Sequence, residues 1–305
     1  MKHSLFVVWL SWVIVLLALV AVAAGFFWPA DGGSSFAFTT VRGDTVMIYG
    51  HGLYRYDTIF VGAANRGSDL VTLGLGIPLL TYATLRYWRG SLRGGLLLLG
   101  TLVYFLYLYS SYALGTAFNP LLPVYIALFS ASLFAFVLLF GALAAQFSME
   151  QLAADLPHRG VAMFMFASGL ATLVIWLQPL LSELAHNQLP AMLGVYTTKV
   201  TDVLDLGIIT PATFIAGRLI WRHKPSGYLM AFSLLVLEMM LTPMIVAQTV
   251  SQWQAGIRFT PAEMIGPIVG FATLGLFALW VMSILWRKTV ETVKRSALPL
   301  QPLQI

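Results

Sequence analysis

The chain has 305 residues, of which 59% are hydrophobic and only 10% are charged, a balance far from that of a soluble domain. It contains no cysteine, which excludes disulfides, thiolate catalysis and cysteine-ligated metal centres. Apolar runs of about 20 residues recur, and a helix of that length crosses the hydrocarbon core of a bilayer. We therefore expect an all-α integral membrane protein.

The first apolar run covers residues 5–28 and follows Lys2. A basic residue, an apolar stretch and small residues at 21–24 resemble a secretory signal peptide. The run is longer than the apolar part of such a peptide, however, and it ends in aromatic residues typical of the membrane interface, the last being Trp28. We interpret it as an uncleaved first helix. The alternative, a cleaved signal, leaves seven helices with the N-terminus outside.

Hydropathy predicts eight membrane helices. Their ranges are 5–28, 69–88, 95–115, 120–146, 160–182, 201–221, 227–250 and 263–286.

The segments between these helices carry few recognisable elements. Residues 29–68 form the longest non-membrane segment, and two short strands are expected at 36–41 and 46–49. We interpret this segment as a small hairpin cap over the outer ends of the helices. Residues 148–159 are expected to form a cytoplasmic linker, and residues 287–305 a basic cytoplasmic tail.

The basic residues are distributed unequally between the two sides of the predicted bundle. Twelve of the 17 lie on the side of both termini, and five lie on the side of the cap. The positive-inside rule then places both termini in the cytoplasm. We expect the chain to lie in the plasma (inner) membrane. We expect the bilayer, and anionic lipid at the basic tail, to be partners of the chain. No motif indicates a cofactor, a metal site, a nucleic-acid partner or an oligomeric state.

The stretch 66–96 recurs at 199–229 with a constant offset of 133 residues. Nine of its 31 positions are identical. Because several of these matches are at Asp, Pro, Trp, Arg and Gly, apolar composition does not explain them, and we interpret them as an internal duplication. The identical pairs are Asp69/Asp202, Leu73/Leu206, Gly74/Gly207, Pro78/Pro211, Ala83/Ala216, Trp88/Trp221, Arg89/Arg222, Gly94/Gly227 and Leu96/Leu229.

The duplication predicts two four-helix repeats, 1–147 with the cap and 160–286. Helices 2 and 3 correspond to helices 6 and 7, so one repeat contains four spans. An even number of spans gives both copies the same orientation, related by an axis along the membrane normal.

Acids begin the repeated helix in each half. Asp69 and Asp202 are expected in its first turn, where the helix dipole stabilises a carboxylate, and Ser68 is expected to cap the first of these helices. Arg66 and Lys199 lie three residues earlier, and we expect them to form outer charge pairs with these acids.

Proline lies in the middle of both repeated helices. Pro78 and Pro211 remove a backbone hydrogen bond and predict a kink or hinge in each copy. Gly74 and Gly207, four residues earlier, are expected to allow close helix packing.

Two further acids break the repeat. Asp205 lies one turn beyond Asp202, and Glu238 lies near the middle of helix 7, where an ionised carboxylate costs roughly 2.5–3.5 kcal/mol. Glu238 should therefore face the bundle interior or a water-filled cavity, with a hydroxyl of Tyr104, Tyr107 or Thr242 as its partner.

Three functional hypotheses follow, and no enzyme motif is present. The first is a small-solute or ion transporter or channel, with a pathway between the repeats. The second is a ligand-sensing or scaffolding subunit that uses the cap, and the third is an intramembrane enzyme that acts on lipid through Asp202 and Asp205. A water-accessible cavity that reaches Glu238 would favour the first. The pathway candidates are Glu238, Asp205, Asp202, Asp69, Tyr104 and Tyr107.

The charge distribution predicts the topology of the chain. Single cysteines at Ser34, in the predicted cap, and at Ser296, in the predicted tail, should react with a membrane-impermeant thiol reagent from opposite faces of the membrane. The measurement is labelling in intact cells and in inverted vesicles. Reaction of both positions from the outside of intact cells would contradict the eight-helix topology.

Overall fold

A computed structural model describes residues 3–30, 32–190 and 193–291, without the side chains of 262–264 and 267. The described chain is mostly helical, and eight of its helices are long and apolar enough to cross a membrane, as predicted. Residues 292–305 of the predicted tail lie outside the description. The eight helices are α1 (Leu5–Phe27), α2 (Ile59–Trp88), α3 (Leu92–Gly115), α4 (Leu122–Ala144), α5 (His158–Ala185), α6 (Val200–Trp221), α7 (Pro225–Gln254) and α8 (Pro261–Lys288).

The connections between the helices lie on two opposite faces of the bundle. The cap face consists of residues 28–30, 32–58, 116–121, 186–190, 193–199 and 255–260. The terminal face consists of residues 89–91, 145–157, 222–224 and 289–291. On the cap face, β1 (Phe36–Thr39) and β2 (Thr45–Ile48) form an antiparallel hairpin, which confirms the two predicted strands. On the terminal face, the segment between α4 and α5 contains a single 3-10 turn at Met149–Gln151.

Side-chain caps define the starts of two helices. The Thr58 hydroxyl accepts a hydrogen bond from the Val61 amide at 3.3 Å and begins α2, and the Ser91 hydroxyl accepts one from the Gly94 amide at 3.0 Å and begins α3. Such caps satisfy amides that the first helical turn leaves without a backbone partner.

The predicted start of the second helix, at Asp69, is wrong. The helix begins at Ile59, so Ser68 and Asp69 lie in its interior rather than at its N-terminus. The Ser68 hydroxyl donates to the Ala64 carbonyl and accepts from the side-chain Nε2 of Gln248, so it does not cap a helix. Hydropathy missed the first turns because Asn65, Arg66 and Ser68 interrupt the apolar run, and these turns pack against α7. The cap is therefore shorter than the predicted 29–68.

Helices α3 and α7 cross at the centre of the bundle. Within an 18-residue apolar stretch of α3, 72% of the residues are buried, the largest such share among the described spans. Gly100 lies at the crossing, and a Cβ atom added there would lie only 2.5 Å from Val236 Cβ. The absence of a side chain thus allows the two backbones to approach, as small residues do in membrane helix pairs.

Each of α3 and α7 is flanked by a helix from the other half of the chain. Gly67 of α2 lies against the backbone of α7, since a Cβ atom added there would be 2.5 Å from the Ala247 oxygen and the Gln248 nitrogen. Val200 of α6 approaches Gly115 of α3, where an added Cβ atom would lie 3.3 Å from the valine Cβ. The backbones of α2 and α7 are therefore in close contact at Gly67, whereas the Val200 side chain keeps α6 farther from α3.

Both α2 and α6 contain a five-residue π-helical segment, Thr72–Gly76 and Asp205–Ile209. These segments lie at equivalent positions under the 133-residue offset. Pro78 and Pro211 follow them within the first turn of the next α-helical segment. Because proline clashes with the carbonyl four residues earlier and lacks an amide hydrogen, a wider turn before it accommodates the missing hydrogen bond.

The repeated glycines fall into two groups. Gly74 and Gly207 do not pack closely, contrary to prediction, because a Cβ atom added to either would meet nothing within 4 Å. Gly94 and Gly227 do pack closely, each against the end of the preceding helix at positions related by the same offset. We attribute Gly74 and Gly207 to the wide turn before proline rather than to helix contact.

The C-terminal end of the described chain closes the terminal face. The Glu291 carboxylate accepts hydrogen bonds from the Ser91 hydroxyl at 2.6 Å and the Arg93 amide at 3.3 Å. Leu152 and Thr289 form an isolated β-bridge. Both halves of the chain therefore meet on this face through hydrogen bonds as well as apolar packing.

The central crossing predicts a stability difference between two glycines. Gly100→Ala should lower the free energy of unfolding by about 1–3 kcal/mol, because its methyl group has no room beside Val236. Gly141→Ala is the matched control in α4, where an added Cβ meets nothing, and it should change stability by no more than about 1 kcal/mol, in the stabilising direction. Unfolding in mixed detergent micelles measures both. Equal effects would contradict the close crossing.

Candidate functional site

A cavity of about 730 Å³ extends from the cap face to the middle of the bundle. Its walls come from both halves of the chain, namely α2 and α3 from the first and α5 to α8 from the second. Loop residues of the cap face surround its upper part, and no residue of the terminal face lines it. Among the side chains that the structure describes, the charged ones in its wall are Asp202, Asp205, Glu238, Lys199 and Arg258.

Glu238 lies in the deep part of this cavity, as the sequence predicted for an acid in the middle of a membrane helix. Its Oε1 accepts a hydrogen bond from the Ser168 hydroxyl of α5 at 3.1 Å. The predicted partners were wrong. Thr242 donates instead to the Phe271 carbonyl of α8, because Glu238 faces α5 rather than the α3 tyrosines. Ser168 carried no signal in the sequence, since its role depends on how α5 packs against α7.

Asp205 is buried in the cavity wall at the start of the π-helical segment of α6. Its Oδ2 accepts a hydrogen bond from the Tyr107 hydroxyl of α3 at 3.2 Å, which joins the two halves. Tyr104 lies outside the cavity, and its hydroxyl is 2.9 Å from that of Thr72. Thr72 occupies the position equivalent to Asp205. Each of the two deep tyrosines of α3 therefore contacts one of the two wide turns.

One of the two predicted outer charge pairs forms. The Lys199 ammonium nitrogen lies 2.8 Å from Asp202 Oδ2, and both residues line the cavity. The predicted pairing of Arg66 with Asp69 was wrong. The Arg66 guanidinium instead lies over the Phe26 ring, 5.8 Å from its centroid. The difference follows from the longer α2, which places Asp69 inside the bundle.

Asp69 is buried outside the cavity, between α1, α2 and α3. Its carboxylate accepts hydrogen bonds from the Tyr54 hydroxyl at 2.7 Å and the Tyr112 hydroxyl at 3.3 Å. A Cβ atom at Gly25 of α1 would lie 2.0 Å from Asp69 Oδ2, so this glycine creates the space that the carboxylate occupies. Asp69 therefore joins the cap to the first half and does not line the candidate site.

The cap is attached to the second half at the mouth of the cavity. Asp57 Oδ1 accepts hydrogen bonds from the Tyr196 hydroxyl and the Ala117 amide, each at 2.8 Å. The Tyr196 oxygen in turn accepts from the Thr58 amide at 3.2 Å. Burial raises the pKa of Asp57 to about 6, and the two hydrogen bonds oppose this effect. Since Tyr196 lines the cavity, this network holds one edge of its entrance.

Arg42 makes a second connection between the halves. Its guanidinium donates to the Gly194 carbonyl at 3.2 Å and the Tyr196 carbonyl at 3.0 Å. Sequence patterns do not single out Arg42 or Tyr196, because both lie in loops without a motif and meet only in the folded chain.

The two proline-associated turns differ in their relation to the site. Asp205 and Ile209, at the two ends of the π-helical segment of α6, line the cavity. The equivalent segment of α2, Thr72–Gly76, does not. A change in the bend before Pro211 would therefore move the cavity wall, whereas Pro78 lies away from it.

Comparison with known proteins finds no matching family model, no similar curated protein and no similar solved structure. The functional argument therefore depends on the geometry and chemistry of the site.

The Asp57 network predicts a pH-dependent stability. Because the pKa of Asp57 is higher in the folded chain than its ordinary value of 3.8, the folded state binds this proton more tightly. Its contribution to stability is therefore present at pH 4 and is lost as the pH rises through about 6. Two pKa units correspond to about 3 kcal/mol. Asp57→Asn should thus gain up to about 3 kcal/mol relative to wild type between pH 4 and pH 7.

Thermal unfolding of both proteins across this pH range measures the effect. Asp44→Asn is the matched control, because it removes one carboxylate from an exposed position of the same cap. It should follow the wild-type profile. An Asp57→Asn profile parallel to wild type would show that folding does not raise the pKa of Asp57.

Proposed function

We propose that this multi-pass membrane protein is a transporter of a small solute or ion, with its substrate site in the cavity between two structural repeats. The proposal rests on one observation: the cavity reaches Glu238 from the cap face and does not extend to the terminal face. Beneath the cavity, α3 and α7 pack directly on each other at Gly100. A central site open to one face and closed by packed helices to the other is the arrangement expected of alternating access.

Local geometry supports the two repeats of this proposal, 1–147 and 160–286. The π-helical segments, and the glycines that follow them at Gly94 and Gly227, occupy equivalent positions. The flanking contacts correspond as well. Gly67 contacts Gln248, and adding 133 to the first number and subtracting it from the second gives Val200 and Gly115, which also meet. A twofold axis near the membrane normal, between α3 and α7, would relate such contacts.

The proposed orientation places both termini in the cytoplasm and the cap outside the plasma (inner) membrane. Its support is the unequal distribution of basic residues, 12 against five. In this orientation the cavity opens to the outside, and the basic tail faces anionic lipid.

A ligand-sensing or scaffolding subunit is the second candidate. The attachment of the cap to the second half through Asp57, Tyr196 and Arg42 favours it, since a ligand on the cap would act on the cavity entrance. No observation favours a lipid enzyme that uses Asp202 and Asp205 to hold a metal, because Lys199 and Tyr107 already occupy oxygens of these carboxylates.

Single cysteines distinguish a transporter from a sensor, because the natural chain contains none. Ser168→Cys places a thiol deep in the cavity, and it should react with a membrane-impermeant cationic methanethiosulfonate from the cap face. Ser233→Cys places one in α7 outside the cavity, on the half nearer the terminal face, where the side chain is buried. In a transporter that alternates, it should react from the terminal face.

Labelling in oriented vesicles tests both positions. Ser132→Cys is the control, since this fully buried residue of α4 lies away from the cavity and should react from neither face. If Ser168→Cys reacts and Ser233→Cys does not, the result favours a ligand-sensing subunit over a transporter. An unreactive Ser168→Cys would refute a water-accessible cavity.

A further inference from the structure

The charges of the cavity are not balanced at its deep end. Near the mouth, Asp202 has Lys199 as its cationic partner at 2.8 Å. Asp205 and Glu238 lie deeper, and each accepts one hydrogen bond from a hydroxyl. Within the described part of the chain, neither has a basic group within 4 Å of its carboxylate. An ionised carboxylate so placed costs free energy that a bound cation would offset.

The remaining cation of the wall, Arg258, does not balance these acids. It lies in the exposed loop of the cap face between α7 and α8, at the mouth of the cavity. Among the described residues of the wall, the basic ones lie at the entrance and two carboxylates, those of Asp205 and Glu238, lie deeper. This distribution favours a ligand that carries positive charge to the deep end.

The wall between these charges is mostly apolar and aromatic. It includes Trp176 of α5, Leu241 and Ile245 of α7, and Phe271 of α8. A volume of about 730 Å³ is that of a site for an organic molecule rather than for a bare ion. A metal cation would also require several oxygen ligands, and no group of three His, Cys, Asp or Glu side chains suited to a metal occurs in the described ranges.

One polar side chain in the wall has no partner of its own. Asn65 of α2 is only 8% exposed, and its Nδ2 atom has no hydrogen-bond partner within the described chain. An unsatisfied buried amide costs about 1–3 kcal/mol, so Asn65 gains free energy when its side chain turns to donate from Nδ2 to an occupant of the cavity or to water. This observation is independent of the acids and adds a hydrogen-bond donor to the same wall.

We propose that the cavity binds a monovalent organic cation with an apolar body, its charge lying near Asp205 and Glu238. The inference names the substrate class of the proposed transporter and rests on that function. The apolar wall buries the body of the ligand, and the two carboxylates select the sign of its charge.

Three probes of similar shape and different charge test the proposal. They are tetraphenylphosphonium, neutral triphenylphosphine oxide and anionic tetraphenylborate, titrated calorimetrically into the purified full-length chain. The cation should bind at least about tenfold more tightly than the other two. Equal or tighter binding of the neutral or anionic probe would overturn the proposal.

Variants locate the bound charge. Asp205→Asn and Glu238→Gln should each weaken tetraphenylphosphonium binding by about tenfold or more, while leaving the weak binding of triphenylphosphine oxide unchanged. Asp44→Asn removes the same charge from an exposed part of the cap and should leave all three affinities as in wild type. Cation binding that neither cavity variant weakens would contradict the proposed site.

A measurement with both acids intact covers the case of variants that fail to fold. Tetraphenylphosphonium should slow the labelling of Ser168→Cys, and an unchanged rate would contradict binding in the cavity. If Ser233→Cys reacts from the terminal face but tetraphenylphosphonium does not bind, the transporter proposal stands and the proposed cation site is wrong. If the cation binds selectively but Ser233→Cys does not react from the terminal face, the cation site stands and the transporter proposal is wrong.

Discussion

The close crossing of α3 and α7 is the constraint on which the rest of the structure depends. Gly100 allows it, because any side chain there would collide with Val236. With these two helices fixed at the centre, the other described spans pack around them. Gly67 closes α2 onto α7, whereas Val200 stands between α6 and α3. The cavity is lined by Val200 and Gly115, where α6 and α3 stay farther apart. The difference between Gly67 and Val200 at equivalent positions therefore coincides with the presence of a cavity on the side of α6.

The bundle accommodates its buried acids with hydroxyl groups more often than with cations. Asp69 has two tyrosine hydroxyls, Asp205 has one, and Glu238 has a serine. Among the buried acids that the structure describes, only Asp202, near the cap face, pairs with a lysine. Hydroxyl donors satisfy the oxygens without cancelling the charge, so the cost of burying an ionised acid is only partly offset. For Asp69 the surroundings are closed, while the cavity leaves Asp205 and Glu238 accessible to an external partner.

Features set by local chemistry could be predicted from the sequence. Eight apolar runs predicted the eight spans, and two short strand-forming segments predicted the hairpin. A three-residue spacing predicted the contact of Lys199 with Asp202. Features set by tertiary packing could not. The early start of α2 depends on its packing against α7, which hydropathy does not detect because polar residues at 65, 66 and 68 interrupt the apolar run. The roles of Ser168 and Tyr196 depend on which helix or loop each meets, and no spacing along the chain encodes that choice.

The paired π-helical segments bear on the history of the chain. A π-helical turn holds one more residue than the α-helical turn it replaces, so it is the trace that a single-residue insertion leaves in a helix. Thr72–Gly76 and Asp205–Ile209 carry this extra residue at equivalent positions, each ahead of a proline. Under the proposed duplication, the insertion and the proline belong to the ancestral four-helix unit. Asp205 and Glu238 have no acidic counterpart in the first half, so under the same proposal the two copies kept the wide turn while they diverged at the charged positions.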